Sequence, residues 1–168
     1  MKIEMGARSE HWPISEHKIQ SYVKEALEEK VTEAEVFVRV LNAERTFWEK
    51  ATILHQYAHL PDGKALPPRI SRHFYDFFRL LSSPIKDKAL RELSLLERVA
   101  NHKSIYFASG WANYGTARKG TLKLMPLSRV LEELEEDYGL MAPMFFREIP
   151  AWELILKTIN EFERQFNA

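Results

Sequence analysis

RTFWEKATILHQYAHLP, residues 45–61, is the stretch from which the fold can be read. At about 100° per residue, Ala43, Phe47, Ala51, Leu54 and Ala58 fall on one arc, with Ile53 and Tyr57 at its edge. The opposite face carries Arg45, Glu49, Thr52, Gln56 and His59. This is the pattern of an amphipathic helix with one dry and one wet side. Asn42 is placed to cap its start, and the helix stops before Pro61. Lys50 breaks the pattern, because it falls inside the apolar arc although a wet side was available to it. A core-facing cation needs compensation. Either its stem packs on the core while the ammonium snorkels to water, or it sits in a cleft and presents a compact charge to phosphate oxygens.

Outward from this helix the chain reads as mostly helical. The loop PDGKALPPR leads to SRHFYDFFRLL, a second amphipathic helix with Ser71 as its cap and Phe74, Phe77, Phe78 and Leu81 toward the core. A third, longer helix is expected over residues 85–106. ASGWANYGTARKGTLKLMP then reads as an ordered loop, and a fourth helix over 129–138 is expected to stop at Gly139. The last helix is expected to start at Pro150, with Trp152, Ile155, Ile159, Phe162 and Phe166 at helical spacing. Upstream, EVFVRVL is the clearest strand, by its β-branched content. Residues 2–8 alternate weakly as a second strand, SEHWPISEH reads as loop, and IQSYVKEALEEK as a short helix or irregular excursion. The expected fold is α+β and predominantly helical, a bundle-like domain over residues 1–168 with a small sheet built from the Ile3 and Val36–Val40 segments.

Composition narrows the function. With 24 basic and 24 acidic residues among 168, the global field favours neither nucleic acid nor anionic membrane. The absence of cysteine removes disulfides and thiolate metal sites, as suits a reducing compartment. No apolar run approaches the roughly 20 residues of a membrane span, and MKIEMGARSE has no signal-peptide core. A soluble cytoplasmic protein is expected.

Asp76 stands on the helix after Lys50, away from its phenylalanine face and beside Arg72 and Arg79. It reads either as half of a surface ion pair or as a carboxylate directed into a site, where it would be a neighbour for Lys50. His55 and His59 have the i, i+4 spacing of a helical metal pair, but QYA between them lacks the glutamate of a zinc-peptidase motif. They read as a wet-face pair, and no metal ligands are assigned. GWANYG with Arg118 and Lys119 reads as a packed Ω-type connection or as an aromatic and basic contact for single-stranded nucleic acid.

Taken together, ERTFWEKATILH, PPRISRHFYDFFRL, LLERVANHKSIYFASGWANY and DYGLMAPMFF resemble the C-terminal half of the AbiEii/AbiGii-type nucleotidyltransferase toxins, a branch of the DNA polymerase beta-like superfamily. The likeness extends over nearly the whole chain, from KIEMGARSEHWP onward. The resemblance implies that Lys50 contacts nucleotide phosphates, that Asp76 is required at the same site, and that Arg72 and His73 shape it. Glu4 matches a further acidic strand position. In that superfamily a Gly-Ser type loop and a D-x-D strand carry paired metal-binding acids and precede the part seen here; no such motif occurs in this sequence. Mg2+ and NTP are therefore expected only in a completed enzyme. The resemblance implies the back half of an enzyme, a truncated product or one partner of a split enzyme, inactive alone. Its expected partners are an N-terminal half on another chain, an antitoxin and a tRNA acceptor. The alternative is a non-catalytic module that binds an antitoxin-like protein or self-associates as a homo-oligomer.

Overall fold

The computed structural model describes residues 10–27, 30, 32, 35–145 and 148–168. The strand expected over residues 2–8, and Glu4 with it, lies outside the described residues. The chain divides into two compact units, Met1–Ala43 and Glu44–Ala168.

In the first unit, β1 (Ile14–Ile19) pairs antiparallel with β2 (Val36–Leu41), Ile14 opposite Leu41 and Ile19 opposite Val36. β2 is the valine-rich strand expected. β1 corrects the sequence reading, since its residues Ile14–His17 fall in the stretch read as loop and Ile19 opens the one read as a short helix or irregular excursion. Its two isoleucines bracket the polar run Ser15–Lys18, so no apolar alternation marks it. Its pairing rests on the ladder and on cross-strand partners, among them Glu16 opposite Arg39 and an ion pair from Lys18 to Glu35. α1 (Tyr22–Ala26) follows β1, with the Ser21 side chain accepting from the Lys24 N–H. The Asn42 N–H donates to the Pro13 carbonyl at 2.9 Å, and its side-chain oxygen accepts from Ser15 Oγ at 2.8 Å.

The second unit is helical. α2 (Ala43–Tyr57) begins directly after Asn42, as expected. α3 spans Ser71–Leu81, α4 Ile85–Arg91, α5 Leu93–Tyr106, α6 Leu131–Gly139 and α7 Trp152–Asn167. Phe47 of α2, Phe77 of α3 and Phe162 of α7 form a three-ring cluster with centroids 4.9, 5.6 and 5.7 Å apart. α7 buries the five residues expected of it and packs chiefly on α3, where Phe74 meets Trp152 edge to face. No helix among the described residues is long and apolar enough to cross a membrane.

Several boundaries differ from the sequence reading. The single helix expected over residues 85–106 is two, because Glu92 leaves helical geometry at φ −120°, ψ 58°; no glycine or proline marks that break. Gly139 ends α6 from inside the helix rather than beyond it. Pro150 precedes α7 by two residues, and its carbonyl accepts from the Tyr138 hydroxyl at 2.9 Å. Phe78 is partly buried at the edge of the core rather than within it. Ser71 does not cap α3 by itself. The Asp137 carboxylate, from α6, accepts from the N–H of Arg69 at 2.6 Å, the N–H of Ser71 at 2.9 Å and Ser71 Oγ at 2.5 Å. It thereby satisfies donors that a helix start leaves open. Burial alone would raise the Asp137 carboxyl, but these hydrogen bonds outweigh it and hold the group below its usual range.

The wet side expected of α2 is the largest correction. Arg45, Thr52 and His55 are fully buried along with Phe47, Trp48, Ala51 and Leu54. Thr52 Oγ1 donates back to the Trp48 carbonyl at 2.9 Å, and Arg45 Nε to Glu49 at 2.9 Å. His55 is covered by the loop after α5. Its Nε2 lies 3.1 Å from the Asn113 carbonyl and 3.2 Å from Thr116 Oγ1, and its Nδ1 accepts from the Lys123 N–H at 3.0 Å. The loop buries Ala112, Tyr114, Ala117, Leu122 and Leu124, as the packed reading expects, and leaves Arg118 and Lys119 exposed. α7 pins its far end, where Asn167 both accepts from and donates to the Leu122 backbone at 3.1 and 2.7 Å.

Candidate functional site

Lys50 leaves α2 on the side facing α3. Its Nζ lies 2.6 Å from Asp76 Oδ2 and 3.1 Å from His73 Nδ1. The one-turn spacing of His73 and Asp76 puts both on the same face of α3, and Phe74 and Phe77, on the buried face, hold that helix against the core. The ion pair is half-sheltered, with the Lys50 side chain 20% and the Asp76 side chain 40% exposed. Among the described residues Asp76 pairs with Lys50 and not with Arg72 or Arg79, its neighbours on the helix.

His73 is neutral here. Burial first, then the charges of Lys50 and Arg72, lower its ring to about 4. Nδ1 is thus free to accept a proton of the Lys50 ammonium. An ammonium has three donors; Asp76 and His73 engage two of them. Asp76 also lines a cleft of about 480 Å³ together with Arg72, Tyr75, Arg79 and Phe145, which Lys50 itself does not line. Arg72 and Arg79 are exposed at this cleft. The structure thus brings Lys50, His73, Asp76 and Arg72 to one place, while Glu4 lies outside the described residues.

One residue near this place was missed from sequence. Lys103 of α5 is buried, and its Nζ donates to the Glu49 main-chain carbonyl at 2.8 Å, one residue before Lys50. Burial, opposed by the Glu49 charge and reinforced by Lys50 and Arg45, lowers its amine to about 7. In HKSIYF it looks like any helical lysine. The signal lies in the fold, which closes α5 over that carbonyl.

His55 and His59 do not form a metal pair. The rings are 4.6 Å apart, but both nitrogens of His55 are engaged as described above, and His59 Nδ1 lies 2.8 Å from the His55 carbonyl. Among the described residues no three His, Cys, Asp or Glu side chains group to hold a metal ion. Residues 1–166 match the family described as "Nucleotidyl transferase AbiEii toxin, Type IV TA system". No curated protein matches, nor does any solved structure.

Proposed function

We propose, on the premise that the chain belongs to the nucleotidyl transferase AbiEii toxin family of type IV toxin–antitoxin systems, that the Lys50–Asp76 site binds the phosphates of a nucleoside triphosphate. The observation that carries this reading is the Lys50 ammonium, held 2.6 Å from Asp76 on the side of α2 that the sequence makes apolar. Asp76 aims the ammonium and offsets its desolvation, because an opposite charge lies against it. Neutral His73 steadies it without adding a competing charge. The remaining donor, and the one Asp76 releases when an anion competes for it, meet phosphate oxygens. Arg72 adds a planar fork suited to a second phosphate contact. The cleft beside Asp76 offers Arg79 with the rings of Tyr75 and Phe145, groups that suit an RNA acceptor such as tRNA, whose bases stack on aromatic faces and whose phosphates pair with arginine.

A divalent cation does not fit this residue set. The Asp76 carboxylate is engaged by Lys50, and no cluster of three ligating side chains occurs among the described residues. In-line nucleotidyl transfer depends on metal-bridged oxygens. We infer that the paired carboxylates lie outside the described residues, and that the Lys50–Asp76 site contributes the phosphate-binding and acceptor-binding surface. The toxin–antitoxin setting of the family also implies an antitoxin partner.

The test uses the purified full chain. Incubated with each labelled NTP, magnesium and tRNA, it should transfer no label. In equilibrium dialysis it should bind NTP, and Lys50→Ala should weaken that binding about 10- to 100-fold, the value of one or more charge-assisted hydrogen bonds. Labelling of tRNA that disappears in Lys50→Ala would overturn the division of labour. Unchanged NTP affinity in that variant would overturn the site.

A further inference from the structure

Lys103 has no part in the reading above, and its surroundings are costly for an amine. Among the described residues it has no ion-pair partner within 4.0 Å. Its one hydrogen bond among the described residues is to the neutral Glu49 carbonyl, which also accepts from Thr52 Oγ1 at 3.0 Å. The charged and titratable groups that face it are Arg45, Glu49 and Lys50 from α2 and His73 from α3. The Glu49 carboxylate is already committed to Arg45 at 2.9 Å, and His73 is neutral. Lys103 is therefore a desolvated amine beside an ammonium, with one carboxylate in reach that another cation holds. Such a group gives up its proton unless an anion arrives to compensate the charge.

We propose that Lys103 is a second anion-binding amine of this site, which takes up a proton from solvent when a polyphosphate anion settles against Lys50. The inference rests on the phosphate-binding reading of Lys50 and adds to it a residue and a proton. An anion with several charges is required, because a single negative charge would satisfy Lys50 and leave Lys103 as it was. The neutral amine takes the solvent proton to become an ammonium, and no covalent bond of the ligand changes. At neutral pH the amine is close to half-protonated, with its value lowered to about 7, so small changes in nearby charge move its protonation.

Calorimetry on the full chain, with inorganic tripolyphosphate as the probe and no metal, tests this. Titrations at pH 8 in Tris and in HEPES, which differ in ionisation enthalpy, give the number of protons taken up. Lys103→Arg keeps a charge that does not titrate, so protons belonging to the ligand cancel in the comparison. Wild type should take up close to one more proton than Lys103→Arg. Its affinity should fall about tenfold more steeply than the variant's between pH 8 and pH 9, as linkage to one proton requires. Lys103→Met, which removes a buried amine and keeps its length, should melt no lower than wild type and bind tripolyphosphate at least about tenfold more weakly at pH 7. If all three proteins bind with equal affinity and equal proton uptake while Lys50→Ala does not bind, Lys103 is only a brace for α2, and the Lys50 site stands without it. If wild type does not bind, or Lys50→Ala binds as wild type does, the phosphate site itself fails and this inference falls with it.

Discussion

Acidification should destabilise this protein through His55, by an amount that follows from the partners of one ring. The ring is fully buried. Its Nδ1 accepts the Lys123 N–H at 3.0 Å, and its Nε2 faces the Asn113 carbonyl at 3.1 Å, so one nitrogen accepts and the other donates, as only the neutral imidazole can. Adding a proton to Nδ1 would break the bond to Lys123 and bury a cation. Burial, opposed by the Asn113 carbonyl and assisted by neighbouring His59, lowers the ring from 6.5 to about 4. As pH falls, the unfolded ring takes its proton first. The stabilisation is therefore complete above pH 6.5 and is lost progressively toward pH 4. At about 1.4 kcal/mol per pH unit, this ring alone costs about 2 kcal/mol at pH 5 and about 3 kcal/mol at pH 4. Urea denaturation followed by tryptophan fluorescence at pH 7 and pH 5, on wild type and His55→Gln, isolates the contribution. The variant starts weaker at pH 7 but should lose about 2 kcal/mol less than wild type on going to pH 5. His73, lowered in the same range, is present in both proteins and cancels. An equal pH-dependent loss in the two proteins would refute the reasoning, as would an NMR titration of the His55 ring near 6.5.

Two further outcomes are expected. Asp137→Ala removes the carboxylate that accepts from Arg69 and from Ser71 at the start of α3 and should cost about 1–2 kcal/mol, as loss of a helix cap does; Asp137→Asn should cost less in the same urea measurement. Lys50→Ala should change stability by no more than about 1 kcal/mol, because its ion pair is partly exposed and screened pairs contribute little, so a thermal melt near wild type should accompany the loss of anion binding.

The parts of this fold that were legible in sequence are those fixed by local pattern. The α7 stripe from Trp152 to Phe166, the Phe74 and Phe77 face of α3 and the valine strand each advertise their partners through spacing alone. The illegible parts are long-range. β1 has only Ile14 and Ile19 to mark it, and it forms because β2 supplies the other half of the ladder. The break at Glu92 interrupts an apolar repeat that runs on without change. Ser71 looks like a cap because serine often is one, whereas the actual acceptor, Asp137, arrives from α6. The wheel of α2 failed on one side because no wheel can show that the loop after α5 will close over His55, or that Lys103 will reach the Glu49 carbonyl from α5.

The kinds of partner that meet the polar residues of α2 separate scaffold from site. Thr52 bonds to its own helix, and His55 to two main-chain groups and a hydroxyl. Those partners are covalently part of the fold, and no solute can take the place of the Lys123 N–H without unfolding the loop that carries it. Lys50 differs, since its partner is a carboxylate on a side chain that also borders a cleft. On the phosphate-binding proposal a diffusing anion would exchange with Asp76, because a phosphate oxygen offers an ammonium a charge and an acceptor geometry like those of a carboxylate oxygen. The same distinction bears on Lys103, whose one carbonyl partner among the described residues leaves any charge it carries unpaired. An apolar arc interrupted by a lysine was the sequence-level trace of this arrangement: a cation at that position calls for a compensating partner, and Asp76 supplies it.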